Sequence, residues 1–338
     1  MRDKRVSVRG NLIRDMIHDI METSLKEPIQ TEHCVMEYLR PEHVMTGRVI
    51  LQLHGGSYIG PMKNIYRKFA VRYSRLSYGG DVLSVDYRVA PEDPYPAALN
   101  DAIYAYYWLI KEKKYQPEQI VIAGDSAGGG LALALCMYLR DYKVPMPGGL
   151  IMMSPWTDLT CSGESYDSNY EKDPLFGKSR ESTLYHSPYI GEMDPHTPYI
   201  SPLFGTYQDL PPMLFQVGDY EMLLSDTLQA AQKAKKAGVK CRASIYEGMF
   251  HAFQMSMDLF PESKEAWEEI QRYFEVIYKI ERKPAGKIVR KVKRKKTQEI
   301  WDRIRSQYED YVDYSREVEG KVLSGSSCRI SKKIKSLL

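Results

Sequence analysis

The feature that most constrains the fold of this 338-residue chain is a glycine-rich turn centred on Ser126. Residues 122–130 read Ile-Ala-Gly-Asp-Ser-Ala-Gly-Gly-Gly, between a β-branched run and an Ala- and Leu-rich segment. Gly-x-Ser-x-Gly between a strand and a helix is typical of a nucleophile elbow, a strained turn that exposes the serine hydroxyl. Gly124 and Gly128 suit such a turn because neighbouring strands leave no room for a side chain. The pattern predicts that Ser126 is a nucleophile.

A second glycine motif follows an apolar run earlier in the chain. Residues 48–53 predict a buried strand, which leads directly into His-Gly-Gly-Ser at residues 54–57. Backbone N–H groups exposed after a strand stabilise the oxyanion that forms in acyl transfer. We expect these donors to be Gly55, Gly56 and the N–H of Ala127, next to the nucleophile. Taken alone, the two glycines would also suit an ordinary turn.

Two later strands each end just before a residue that could assist the serine. The strand predicted at 213–217 is followed by Asp219 and Glu221, and the strand at 241–246 is followed by His251. Nucleophile, acid and histidine in this order, each after a strand, is the order of an α/β-hydrolase. His251 is then the expected base, and a carboxylate orients its ring. Asp219 and Glu221 are both candidates for this acid, because they lie two residues apart and face the same side of an extended backbone.

Three other polar residues are interpreted as supporting groups. We expect His54 and Asp125 to lie behind the reacting atoms, and Asp125 to brace the elbow through nearby backbone or through Arg88. Asp226 is interpreted as structural because it opens a helix that should end near Gly238.

The order of predicted elements indicates an α/β fold. Strands alternate with helical stretches, which favours a mostly parallel central sheet with helices on both faces. We expect an N-terminal cap segment and leading strand at 1–44, with an amphipathic helix at 11–25, and a catalytic domain at 45–282. A turn-rich, aromatic stretch at about 159–207 is expected to complete a small helical cap. The remaining residues, 283–338, form a basic tail.

The motifs resemble the hormone-sensitive lipase family of α/β-hydrolase carboxylesterases over roughly residues 45–280. The similarity rests on the segments around His54, Ser126 and His251 and on further matches: residues 86–92 (Asp-Tyr-Arg-Val-Ala-Pro-Glu), 94–98 (Pro-Tyr-Pro-Ala-Ala), 154–159 (Ser-Pro-Trp-Thr-Asp-Leu), 173–174 (Asp-Pro), 201–203 (Ser-Pro-Leu) and 210–212 (Leu-Pro-Pro). The chain departs from the family at Ser57, which replaces a third glycine, and at the usual Asp-Pro-Leu, where it has Glu221, Met222 and Leu223. Aligning Leu223 with the family's leucine implies that Glu221 is the acid, with Asp219 as the alternative.

The resemblance implies a serine esterase with a helical cap and no metal or organic cofactor. We expect hydrolysis of a small-molecule carboxylic ester of short to medium acyl chain through an acyl-enzyme, because the short N-terminal cap offers little surface to a long chain. One alternative is a receptor-like α/β-hydrolase that binds its ligand without turnover, as in the gibberellin-receptor relatives. Those relatives lack the histidine, which is present here as His251. The other alternative is an amide or acetyl-sugar deacylase.

Cysteine usage and charge bear on where the protein works. Five scattered cysteines, an N-terminus without a signal-peptide pattern and no long apolar run together predict a cytoplasmic protein with reduced thiols. Residues 283–338 hold 16 Lys and Arg against 7 Asp and Glu, whereas the whole chain has a net charge of only +3. A helix is expected at 297–319. This segment suits a solvated tail or, alternatively, weak contact with an anionic surface.

Overall fold

A computed structural model describes residues 29–30, 34–42 and 46–280. The helices expected at 11–25 and 297–319 lie outside these residues. In the described part of the chain, eight strands form one sheet with the order β1-β2-β4-β3-β5-β6-β7-β8. Their bounds are β1 Ile29–Gln30, β2 Val35–Leu39, β3 Val49–Leu53, β4 Asp81–Asp86, β5 Ile120–Asp125, β6 Gly149–Met153, β7 Met213–Gly218 and β8 Cys241–Tyr246.

The sheet is mostly parallel, as the sequence predicts. Strand β2 pairs antiparallel with β1 and β4, whereas every other pairing is parallel. The carboxyl ends of β3, β5, β6, β7 and β8 therefore lie along one edge, where open α/β sheets form their sites. The register places Leu53 beside Gly124 and Gly218 beside Tyr246. The loops after these strands begin next to one another.

Helices cover both faces of the sheet, which confirms the predicted α/β-hydrolase architecture. Strands β3, β5 and β6 are buried at every residue, so they present apolar side chains to both faces. The helices are α1 Asn64–Leu76, α2 Ala97–Lys111, α3 Ser126–Asp141, α4 Ser165–Ser168, α5 Leu224–Lys236 and α6 Pro261–Ile277. Ile50 belongs to the buried cluster that contains residues of α1 and α6, whereas its neighbour Leu51 belongs to the cluster that contains residues of α2, α3 and α5.

The turn-rich stretch at 159–207 contains little regular helix. It has the four-residue α4 and two short 3-10 helices, Pro188–Ile190 and Pro202–Phe204. Several of its aromatic side chains turn inward: Tyr166, Phe176 and Tyr189 are buried, whereas Phe204 is exposed. Burial of these rings holds the stretch on the body of the fold despite its lack of helix.

The helix expected after Ser225 is present as α5, and Gly238 follows its end with a φ of 77°. No helix in the described residues is both long and apolar enough to cross a membrane.

Candidate active site

Ser126 occupies a strained turn between β5 and α3. Its φ is 51°, a left-handed conformation that a side chain disfavours, and the residue is 5% exposed. A Cβ on Gly124 would lie 2.3 Å from the Gly128 oxygen, and a Cβ on Gly128 would lie 2.2 Å from the Leu53 oxygen. Both positions therefore require glycine. The local geometry is that of the predicted nucleophile elbow.

Glu221 and His251 meet at the ends of β7 and β8. The Glu221 Oε2 to His251 Nδ1 distance is 3.1 Å, and both side chains are buried. Glu221 Oε1 accepts from the Gly218 N–H at 2.5 Å and from Ser154 Oγ at 2.7 Å. Burial raises the pKa of Glu221, and the contact with His251 opposes that rise. These bonds leave each carboxylate oxygen a defined partner.

Ser154 is a part of this arrangement that sequence reasoning did not single out. It follows β6 with a φ of 47°, and its Oγ accepts from the Ala252 N–H at 3.1 Å while donating to Glu221. One hydroxyl thus ties the acid to the residue after His251. The Ser-Pro pair at residues 154–155 belongs to the family-like motifs, so the position was visible but its role was not.

Asp219, the alternative acid, has a different partner. Its Oδ1 accepts from the Gly248 N–H at 2.7 Å and so joins the loops that follow β7 and β8. The side chain beside the imidazole is that of Glu221.

The loop after β3 runs through three consecutive left-handed residues. Gly56 has a φ of 130°, Ser57 of 54° and Tyr58 of 60°. In the described residues, the N–H groups of Gly56 and Ser57 donate to no acceptor. They are among the donors that this loop leaves free, since a run of left-handed residues turns successive N–H groups away from the strand. Ser57 adopts the conformation despite its Cβ.

The expectation that Gly55 supplies a free N–H is wrong. This group donates to Tyr66 Oη at 2.8 Å and to Asp125 Oδ1 at 3.1 Å. Its glycine is required for another reason, because a Cβ there would lie 2.4 Å from Asp125 Oδ2. Gly55 therefore fastens the loop and is not a free donor.

Asp125 braces the elbow through backbone, one of the two interactions considered for it. Besides Gly55, it accepts from the Tyr66 hydroxyl at 3.0 Å, and burial raises its pKa to about 6. Arg88 does not contribute to this brace, because its guanidinium pairs with Asp101 at 2.7 Å. Tyr66 lies on α1, and its position in the sequence gave no sign of this contact.

His54 supports the same loop from below. Its ring stacks on Tyr87 with centroids 4.1 Å apart, and Nδ1 lies 2.7 Å from the Gly55 oxygen. Burial lowers the pKa of His54 to about 4, so the ring is neutral at neutral pH. The Tyr87 hydroxyl donates to the His54 carbonyl at 2.6 Å. The histidine is a packing and hydrogen-bonding support.

Aromatic residues of the 159–207 stretch reach both sides of the site. Phe176 packs edge-on against His251 with ring centroids 4.8 Å apart. Tyr189 stacks on Tyr58 of the loop after β3, with centroids 3.8 Å apart and ring planes within 6°. The stretch thus contacts both the histidine and the glycine loop.

Comparisons of sequence agree with this geometry. A family model described as an alpha/beta hydrolase fold matches residues 50–255. An esterase of Acinetobacter venetianus is 38% identical over 226 residues, which cover 67% of this chain and 74% of the relative. An acetyl-hydrolase of Streptomyces hygroscopicus is 36% identical over 236 residues, covering 70% of this chain and 78% of the relative.

A comparison with a solved structure also identifies the chain as similar to an esterase. The crystal structure of an esterase from the bacterial hormone-sensitive lipase family superposes with a TM-score of 0.70 at 32% identity, covering 82% of this chain and 93% of that chain. Fold, motifs and relatives agree. The chain belongs to the hormone-sensitive lipase family of α/β-hydrolases and is a carboxylester-cleaving serine hydrolase.

Proposed function

We propose that Ser126, His251 and Glu221 carry out this hydrolysis as nucleophile, base and orienting acid. The observation that carries the proposal is the 3.1 Å contact between Glu221 Oε2 and His251 Nδ1 at the sheet edge that also presents the elbow of Ser126. With Nδ1–H bonded to the carboxylate, the lone pair of Nε2 is available to accept a proton.

The reaction proceeds in two matched halves. Ser126 Oγ attacks the ester carbonyl carbon while its proton passes to His251 Nε2, and the carbonyl π electrons move to the oxygen. When the tetrahedral intermediate collapses, the bond to the alcohol oxygen breaks and that oxygen takes the proton from Nε2. Water then attacks the acyl-serine with the same proton transfers, releasing the acid and restoring Ser126.

The oxyanion of each tetrahedral intermediate needs N–H donors that are not already bonded. We assign this role to Gly56 and Ser57 with Ala127 at the start of α3. This assignment is supported by the free N–H groups of Gly56 and Ser57, which donate to no acceptor in the described residues. The N–H of Gly55, in contrast, is bonded to Asp125 and Tyr66. Donors of this kind contribute about 3–4 kcal/mol each to lowering the barrier.

The proposed substrates are esters with short to medium acyl chains. The acetyl-hydrolase relative and the aromatic contacts of Tyr189 and Phe176 against the two sides of the site support this class. The receptor-like alternative is not favoured because the relatives are named as hydrolases and His251 has its carboxylate partner.

The substrate class is tested with p-nitrophenyl esters from acetate to palmitate, with p-nitroanilides and acetylated sugars in parallel. We expect kcat/KM to be largest between acetate and hexanoate and to be far lower for the amides, because an amine is the poorer leaving group. A maximum at laurate or beyond, or a preference for the anilides, would refute the proposed class.

We also propose the division of the chain into a cap segment at 1–44, a catalytic domain at 45–282 that includes a cap insertion at 159–207, and a basic tail at 283–338. It is supported by the last described helix, α6, which ends at Ile277. For the tail we propose weak, salt-sensitive contact with anionic surfaces, from its 16 Lys and Arg against 7 Asp and Glu. A chain ending at residue 282 should keep its esterase activity and lose any binding to phosphatidylserine vesicles. Loss of activity in that chain would contradict the division.

A cytoplasmic location is proposed on the basis of the scattered cysteines. Cys34 and Cys136 are buried free thiols, and burial raises the pKa of the Cys136 thiol strongly. Fractionation of cells that express the full chain tests the location, and recovery in an oxidising compartment would refute it.

A further inference from the structure

The stretch between β6 and β7 crosses the loop that carries Glu221. Shortly after α4, the buried Asn169 points its side-chain amide at this loop. Its Nδ2 donates to the carbonyl oxygens of Asp219 at 2.9 Å and of Glu221 at 2.8 Å. Both amide hydrogens of Asn169 are therefore bonded to the backbone around the acid. We call residues 169–176 the clamp segment.

Asp173 binds the same loop from the middle of the clamp segment. Its side chain is 1% exposed, and Oδ2 accepts from the Met222 N–H at 2.7 Å. Oδ1 accepts from the N–H groups of Leu175 and Phe176 at 2.8 Å and 3.0 Å. One carboxylate oxygen thus holds the turn of the clamp segment itself, and the other holds the acid loop.

The peptide bond after Glu221 is consequently bound at both of its polar groups. Its carbonyl oxygen is held by Asn169 and its N–H by Asp173. Because the peptide is buried, rotating it would leave a donor and an acceptor without partners. The side chain of Glu221 leaves the backbone beside this peptide, so the direction of its carboxylate follows the peptide's orientation.

The clamp segment also touches the histidine. Phe176, whose N–H is held by Asp173, packs its ring edge-on against the His251 imidazole. A single buried carboxylate is therefore linked to the acid loop on one side and to the residue packed against the base on the other. This double link distinguishes Asp173 from an aspartate that only fixes its own turn.

We propose that Asn169 and Asp173 are positioning residues that hold Glu221 and His251 in their productive geometry. The inference rests on the proposed roles of Glu221 and His251. Neither clamp residue takes part in the chemistry, so each acts through the orientation of the acid–base pair. A displacement of about 1 Å in such a pair can lower the rate about 100-fold.

The test compares Asn169→Ala and Asp173→Asn with the full-length protein. Asp173→Asn keeps the shape of the side chain but places an amide donor against one of the N–H groups now bound. We expect kcat on p-nitrophenyl butyrate to fall about 10- to 100-fold while KM changes less than about threefold. Circular dichroism and thermal unfolding show whether each variant is folded under assay conditions.

A double-mutant cycle with Glu221→Gln separates positioning from general loss of structure. In the Glu221→Gln background, Asn169→Ala should lower kcat by less than about threefold, because the group that it positions is already altered. Asp81→Asn is the matched control: Asp81 is also a buried, multiply bonded carboxylate, but it begins β4 at the opposite edge of the sheet. It should leave kcat unchanged.

The outcomes are distinguishable. If Glu221→Gln lowers kcat but folded clamp variants keep wild-type kcat, or lower it equally in both backgrounds, the positioning role is overturned and the proposed function stands. If Glu221→Gln itself keeps wild-type kcat, the assignment of the acid fails and the positioning role fails with it.

Discussion

The two halves of the site present different chemical groups: backbone groups on one side and side chains on the other. On the side of β3 and β5, the loop that contains Gly56 and the elbow of Ser126 present backbone groups, and left-handed φ angles set their directions. On the side of β7 and β8, Glu221 and His251 present side chains, and their directions are set by the hydrogen bond between them and by the bonds of Glu221 to Ser154 and the Gly218 N–H. The first half depends on strained backbone, and the second depends on buried polar groups whose partners must all be present.

This difference determines what stabilises each half. Ser57, Tyr58 and Ser126 each adopt a left-handed conformation, at a cost of about 1–2 kcal/mol per residue. Side chains behind the loop must offset that cost, and the Tyr66–Asp125–Gly55 bonds do so. The acid–histidine half has left-handed residues too, at Ser154 and Ala252, but none at Glu221 or His251. It removes a carboxylate from water, and removal of a partner there leaves a buried group unsatisfied.

The largest effect should come from the residues at which the two halves meet. Ser126→Ala and His251→Ala should each lower kcat by at least about 10⁴-fold, because both act in the same proton transfer. The double variant should be little worse than either single variant. Steady-state kinetics on p-nitrophenyl butyrate measures this, and nearly multiplicative losses would show that the two residues do not act as one unit.

Within the acid–histidine half, substitution of the two carboxylates, Glu221 and Asp219, should lower kcat by very different amounts. Glu221→Ala removes the partner of His251 and should lower kcat about 10³- to 10⁴-fold. Asp219→Ala removes one bond to the Gly248 N–H and should lower kcat less than about tenfold. The assay requires that both variants unfold at temperatures well above that of the measurement. The reverse ranking would move the acid to Asp219.

A smaller loss of kcat is expected when the hydrogen bonds that support the glycine loop after β3 are weakened. Tyr66→Phe removes the hydroxyl that donates to Asp125, and kcat should fall about 5- to 20-fold through loosening of the loop. Because the Tyr66 bond lowers the pKa of Asp125, its loss should raise that pKa from about 6. Protonation of Asp125 weakens it as the acceptor of the Gly55 N–H, so the acid limb of the kcat profile should extend to higher pH.

Tyr106→Phe is the matched control for this variant. Tyr106 is buried on α2 and donates to the Pro145 carbonyl at 2.8 Å, near the far end of α3. It should leave the pH profile of kcat unchanged. Equal shifts in both variants would mean that a buried hydroxyl anywhere in the fold has this effect.

The same comparison explains what the sequence could predict. Predictions that rest on the sequence pattern of each element were correct. They are the elbow around Ser126, the strands before Glu221 and His251, and the mostly parallel sheet. The prediction that Gly55 supplies a free donor was wrong. A glycine can orient its N–H in many directions, and hydrogen bonds to Asp125 and Tyr66 fix the direction here. The partners that set such directions are distant in the chain and leave no local pattern.

The missed residues share this property. Tyr66 is 59 positions from Asp125, and Asp173 is 49 positions from Met222. Ser154 joins Glu221 and Ala252 from a third strand. Each forms its contact only because the sheet brings several loops to one edge, so the order of strands had to be known before these residues could be identified.

The most direct test of the account is covalent labelling of the nucleophile. Diethyl p-nitrophenyl phosphate transfers a diethylphosphoryl group to an activated serine and releases p-nitrophenol, which is counted by absorbance while peptide mass spectrometry locates the group. We predict one p-nitrophenol per chain, the label on Ser126, loss of esterase activity in proportion to labelling, and no label in Ser126→Ala. Stoichiometric labelling of another residue with parallel loss of activity, or wild-type turnover by Ser126→Ala, would contradict the central claim.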